Sequence, residues 1–190
     1  MTRLGYLGPE GTFSHIAAKL YLSRCGLDAT LVPLGTFTEL LAEYSTSNID
    51  LVILPLENSI EGEVTQVLDT VTQLENGSII DEVVVPIHHA LMGKPGTVLA
   101  DIHHVGSHPQ PLAQCQNTIR DLCGTVVLRP YSSTAAAAKK LVAFIKSGDI
   151  YTDGDLAVIG HPNLAEIYGL TILADHVEDN STNKTRFGVI

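Results

Sequence analysis

The sequence predicts an open α/β architecture, with sheets flanked by helices. Three observations lead there. Short apolar runs alternate along the chain with segments of helical periodicity. One of those runs, LVIL at 51–54, carries no polar alternation and reads as a strand buried on both faces. Clusters of Gly, Ser, Thr, Asn and Gln recur where an apolar run ends and a helical segment begins, which is where open sheets gather ligand-binding groups.

In chain order, strands are expected at 3–7 (RLGYL), 30–33, 51–54, 79–92, 104–107, 125–130 (TVVLRP), 155–160 (DLAVIG), 171–177 and 185–190. Helices are expected at 14–25, 36–46, 63–75, 109–123, 133–147 and 162–168. Ser14, Thr36 and Ser133 stand as caps before their periodic runs, because a side-chain oxygen there accepts from a free N–H of the first turn. The run AAAA at 135–138 is a helix former rather than a linker. Turn signals cluster at NGS (76–78), GKPG (93–96) and SGD (147–149). Alternating strands and helices imply mostly parallel sheets. Crossovers near 76–80 and 160–170 give a first lobe of about 1–77 plus 162–190 and a second of about 78–161.

Composition narrows the function classes. The 190 residues are 45% hydrophobic without a Trp, so Ala, Leu, Val and Ile must fill the core. A net charge of −10 argues against a nucleic-acid partner, whose phosphates would be repelled. An anionic substrate would need a local positive group instead of a global field. No apolar run reaches the length of a membrane span, and MTRLGYLGPEGTF lacks a signal-peptide apolar region. Cys25, Cys115 and Cys123 form no CxxC pair and read as reduced thiols of a cytoplasmic protein.

Five segments carry the candidate chemistry. GPEGTF (8–13) follows the first strand, and Thr12 helps open a helix whose N–H groups favour an anion. Its G-x-x-G spacing is neither a dinucleotide fingerprint nor a P-loop, and taken alone it reads as an ordinary strand–turn–helix with a capping Ser. PLENSIEG (55–62) places Glu57, Asn58 and Ser59 directly after the buried strand, with helix capping as the alternative. GSHPQPLAQC (106–115) offers Ser107 at a strand end and Gln114 one turn into a helix; His108 there fits a structural role better than an acid–base one. SSTAAAA (132–138) heads a helix with Ser133 and Thr134. In NKTRF (183–187), Lys184 and Arg186 are the cations of the chain that lie in a motif loop, and Arg186 is the candidate clamp for a carboxylate. As a strand, this segment would put Lys184 and Arg186 on one face, with Thr185 and Phe187 on the other. The histidine pairs 88–89 and 103–104 lack metal-site spacing, and neighbours in a strand face apart, so no metal site is expected.

In this order the five segments resemble the catalytic domain of prephenate dehydratase, from residue 4 to residue 190. The resemblance implies a two-lobed fold similar to type II periplasmic binding proteins, with the active site in the interlobe cleft. It implies conversion of prephenate to phenylpyruvate, carbon dioxide and water, without cofactor. Catalytic roles fall to Thr185, Asn58, Ser59, Ser107 and Gln114. Substrate binding falls to Thr12, Glu57, Ser133, Thr134, Arg186 and Phe187, the last as an apolar wall for a six-membered ring. The motifs do not separate prephenate from arogenate, and a non-catalytic small-anion-binding module of the same fold is the alternative of a different class. A homo-oligomer, dimer or tetramer, is the expected assembly. Family members usually continue into a regulatory ACT domain after the TRF strand, and residues 1–190 are expected to hold the catalytic domain alone. The His161-Pro162-Asn163 run departs from the family's usual Ala-rich segment, which leaves the local helix geometry open.

Overall fold

The structure is a computed structural model that describes residues 1–65, 67, 69, 71, 78–147 and 155–190. The chain divides into two compact units, 1–87 with 182–190 and 88–181. The helix expected at 63–75 and the turns at 76–78 and 147–149 fall largely outside the described residues.

The first unit holds β1 (Thr2–Leu7), α1 (Phe13–Cys25), β2 (Ala29–Leu34), α2 (Phe37–Ser45), β3 (Leu51–Asn58), β4 (Gly62–Glu63), β5 (Asp81–Pro86) and β11 (Lys184–Val189). Its sheet runs β2-β1-β3-β11-β5, with β4 beside β3. LVIL is indeed central and two-faced. Ile53 packs with Leu4, Tyr6, Ala17 and Phe187, whereas Val52 and Leu54 pack with Leu40, Leu41 and Ile49. A Cβ at Gly5 beside it would lie 2.5 Å from Ile49 Cδ1 and 2.8 Å from Leu40 Cδ1, so those two buried side chains would have to shift. Helix α1 is capped by Thr12, whose Oγ1 accepts from the His15 N–H, and not by the expected Ser14, which lies one residue inside and is buried.

The second unit holds β6 (Ala90–Gly93), β7 (His104–Ser107), β8 (Val127–Pro130), β9 (Leu156–Gly160) and β10 (Thr171–Ala174), with helices Pro109–Gln114, Gln116–Cys123, Thr134–Ser147 and Asn163–Tyr168. The sheet order is β10-β6-β9-β7-β8. Every residue of β9 is buried, as its LAVIG composition requires.

Several boundaries differ from the sequence reading, each for a pairing reason. The single strand expected at 79–92 is two strands, because β5 pairs with β11 in the first sheet and β6 pairs with β9 and β10 in the second. The first unit therefore extends to Ile87 and not to about 77. The return comes at 182 and not near 162, because β10 remains hydrogen-bonded to β6 and Leu164 sits in the second core. The expectation of parallel sheets holds for β2-β1-β3 and for β8-β7-β9. Strands β11, β6 and β10 pair antiparallel, which makes both sheets mixed. The helix expected at 109–123 breaks at Cys115, so Cys115 and Cys123 do not share one helix.

Candidate active site

In the first unit, strands β1, β2 and β3 are parallel and β11 runs against them. Their carboxyl ends and the start of β11 thus form one edge of the sheet, the edge at which such sheets bind ligands. Asn58 and Thr185 face each other there as a register pair. Asn58 Nδ2 donates to Thr185 Oγ1 at 2.9 Å and to Asn183 Oδ1 at 2.9 Å. Its Oδ1 accepts from the N–H groups of Ile60 and Glu61 at 3.0 and 3.2 Å, which fixes the orientation of the amide. Ser59 Oγ donates to Asn183 Oδ1 and accepts from the Lys184 N–H. The Thr185 oxygen is therefore held as an acceptor. Among the described residues nothing accepts its own proton, which remains available to a ligand.

A bulge builds this pairing. Arg186 lies opposite Glu57, but Phe187 lies opposite Pro55, so Leu56 is an extra residue in β3. Leu56 stays in the cluster of Val52 and Leu54. Strict alternation would send Asn58 to that same side; the bulge turns it to Thr185 instead. Pro55, which donates no ladder hydrogen bond, marks the irregularity in the sequence.

Arg186 points away from this network, as the alternation in NKTRF predicted. Its guanidinium spans Glu57 (Nη2 to Oε2 3.0 Å, Nε to Oε2 3.3 Å) and Glu82 (Nη1 to Oε1 2.7 Å). Those partners raise its already high pKa, the Glu57 hydrogen bond foremost. Glu57 and Arg186 thus neutralise each other on the opposite face from Thr185, beside Ser59, Val84 and Lys184 in a cavity of about 260 Å³. Phe187 is a core residue, 2% exposed against Leu4, Tyr6 and Val189, rather than an accessible wall. Thr12 is occupied as well, its hydroxyl donating to the Leu7 carbonyl while capping α1.

In the second unit, the parallel strands β7, β8 and β9 end at a common edge that carries Ser107, Ser133 and Thr134. The Ser107 hydroxyl is fully buried and donates to the Ile159 carbonyl at 2.7 Å, so it ties two strands together. Ser133 Oγ accepts from the Ala136 N–H at 3.0 Å and caps its helix, and Thr134 is buried behind it. His108 caps the helix Pro109–Gln114, its Nδ1 accepting from the Gln110 N–H. Gln114 Oε1 lies 3.4 Å from His89 Nε2. His89 is 1% exposed, and burial pulls its pKa down to about 4, so the ring is neutral at physiological pH.

Three residues of these networks were not among the sequence candidates: Asn183, His89 and Glu178. Asn183 opens the NKTRF motif, and its position at a strand start was the available signal. Glu178 is buried and joins His88 and His176 through long-range packing that no local spacing announces. Burial raises the Glu178 pKa, but hydrogen bonds from His88, the His89 N–H and His176 outweigh that and hold it below the ordinary carboxylate value.

Comparison with known proteins gives the arrangement a context. The chain is 36% identical over 189 residues to a bifunctional chorismate mutase/prephenate dehydratase of Stutzerimonas stutzeri, covering 99% of this chain and 48% of that protein. It is 34% identical over 185 residues to arogenate dehydratase 3 of Arabidopsis thaliana, covering 97% of this chain and 41% of that protein. The chain therefore spans about half the length of these relatives or less. The crystal structure of an Arthrobacter aurescens prephenate dehydratase in complex with L-Phe superposes with a TM-score of 0.85 at 31% identity, over 99% of this chain and 59% of that one. The prephenate dehydratase family model matches residues 4–190, and the chain belongs to that family.

Proposed function

We propose that this chain converts prephenate to phenylpyruvate, carbon dioxide and water. The observation that carries the reading is the Thr185 hydroxyl, whose oxygen accepts from Asn58 Nδ2 while no group among the described residues accepts its proton. In the reaction the bond from the ring to its carboxylate breaks and releases carbon dioxide. That electron pair moves into the ring as the ring C–O bond breaks, and the hydroxide leaves with a proton to form water. Aromatisation supplies the driving force, so the protein's task is to hold the substrate and ease hydroxide departure. A threonine is a very weak acid. Its role in this reading is a hydrogen bond, or a relayed proton, to the departing oxygen. The Asn58 amide stabilises the charge that then builds on Thr185 Oγ1. Asn183 and Ser59 hold Asn58 in place.

The expected substrate is prephenate, with arogenate as the competing one, since relatives of both names match. The test is ultraviolet detection of phenylpyruvate from prephenate beside an assay for phenylalanine from arogenate. Turnover of prephenate at the higher kcat/KM supports the reading. Preference for arogenate reassigns the substrate, and turnover of neither leaves a small-anion-binding module. A cytoplasmic homo-oligomer completes the proposal, supported by three free cysteines and by the frequency of closed symmetric assemblies. Light scattering of the eluting protein tests the oligomer. No helix among the described residues is long and apolar enough to cross a membrane.

A further inference from the structure

The second unit gathers His88, His176 and Glu178 so that one ligand atom of each lies within 4.8 Å of the others. We propose that this cluster binds a divalent zinc-like ion, through His88 Nδ1, His176 Nδ1 and a Glu178 oxygen.

The fold brings the three together. Strands β6 and β10 are antiparallel neighbours, so residues before β6 meet residues after β10. The Val177 N–H donates to the His89 carbonyl at 2.9 Å, which continues that contact. Val177 itself is fully buried in the core. His176 and Glu178 flank it, and Glu178 Oε1 meets both His88 Nδ1 and His176 Nδ1. His176 holds a positive φ of 53°, unusual for a residue with a side chain, within this arrangement.

The distances suit a metal. His88 Nδ1 lies 3.0 Å and His176 Nδ1 3.2 Å from Glu178 Oε1. Ligand atoms at ordinary zinc distances in a tetrahedron sit about 3.3 Å apart. The imidazoles meet edge to face, with centroids 4.7 Å apart, and do not stack. Two imidazoles and one carboxylate are also a suitable donor set for zinc with an open position. Glu178 is oriented from behind, its other oxygen accepting the His89 N–H at 2.8 Å, the kind of outer support that metal ligands receive. The side chain of Glu178 is 2% exposed, whereas those of His88 and His176 are 36% and 62% exposed. The carboxylate is thus sheltered while solvent reaches the imidazoles, leaving room for a water or a ligand group as the fourth partner. The alternative is two imidazole N–H groups donating to one carboxylate oxygen with no ion.

This site is independent of the dehydratase reading and stands or falls without it. The experiment is calorimetric titration of the chelator-treated 190-residue chain with zinc sulfate, followed by cobalt(II) absorption. One saturable equivalent is expected, weakened at least tenfold in His176→Ala and in His88→Ala. His176 is exposed, so its variant keeps the fold, which circular dichroism checks. Cobalt should give visible bands without thiolate charge transfer, which separates this site from the cysteines. No saturable uptake, unchanged affinity in both variants, or a thiolate band would each overturn the proposal.

Discussion

At the scale of single residues, Thr185 and Arg186 are neighbours with opposite fates, because adjacent residues of a strand face apart. Thr185 is 8% exposed and hydrogen-bonded by an amide; Arg186 is held by two carboxylates on the other side. If Thr185 assists hydroxide departure, its contribution exists mainly in the transition state. Thr185→Ala should then lower kcat by about 10²-fold with KM nearly unchanged, and Thr185→Ser should retain most of the activity. A Ser variant as poor as the Ala variant, with KM rising in both, would make the side chain a packing element. For Arg186 the structure shows the guanidinium paired with Glu57 and Glu82. Its two ion pairs are about half exposed, so each contributes less than about 1 kcal/mol to stability. Arg186→Lys should leave KM within about twofold, because a guanidinium already shared by two glutamates is poorly placed to clamp a substrate carboxylate. A KM increase of tenfold or more would return Arg186 to the binding site.

At the scale of elements, much of the strand and helix order was legible because periodicity reports burial directly. LVIL, LAVIG and the Ala-rich helix were recognisable in the sequence, since each is apolar in the pattern its packing needs. What was not legible depends on distant pairing. The 79–92 run reads as one strand locally, yet β5 and β6 answer to different sheets. The bulge at Leu56 was signalled by Pro55 but takes its meaning from the register with β11. The helix break at Cys115 is the clearest case. Asp179, far along the chain, accepts from the N–H groups of Asn117 and Thr118 at 3.0 and 2.9 Å, and from both of their side chains. Its own N–H donates to the Gln114 carbonyl at 2.7 Å. A distant carboxylate thus caps the second helix where the first one ends. Burial pushes the Asp179 pKa up, but the Thr118 and Asn117 donors outweigh it and leave the group below its ordinary value. A carboxyl lowered in the folded state contributes stability above its unfolded pKa and loses it as pH falls through the folded one. Asp179→Ala should therefore cost about 1–2 kcal/mol at pH 7, the range for a lost helix cap. Urea unfolding of the variant and the parent should show that gap narrowing below about pH 4. A gap that stays constant to pH 2 would remove the charge from the explanation.

At the scale of the whole molecule, the decisive quantity is a net charge of −10 on 190 residues. Prephenate is a dicarboxylate, so the field of the chain opposes its approach. The structure deepens that opposition locally, since Arg186, the cation the sequence offered as relief, is occupied by Glu57 and Glu82. Lys184, exposed at the same end of β11, is the remaining cation of that motif. Added salt screens charges beyond a Debye length of about 10 Å at 0.1 M, while hydrogen bonds made inside a site are screened much less. Raising sodium chloride from about 10 to about 150 mM should therefore increase kcat/KM for prephenate severalfold, through KM and with kcat unchanged. The control is Lys184→Gln, which removes a cation exposed at that end of β11 and should steepen the salt dependence without altering its sign. The opposite sign in the parent chain, kcat/KM falling as salt rises, would mean that a local positive group dominates the approach. In that event Lys184→Gln should flatten the profile if Lys184 is that group. If it does not, Arg186 must exchange its glutamates for the substrate, and the Arg186→Lys measurement would show the same through its KM.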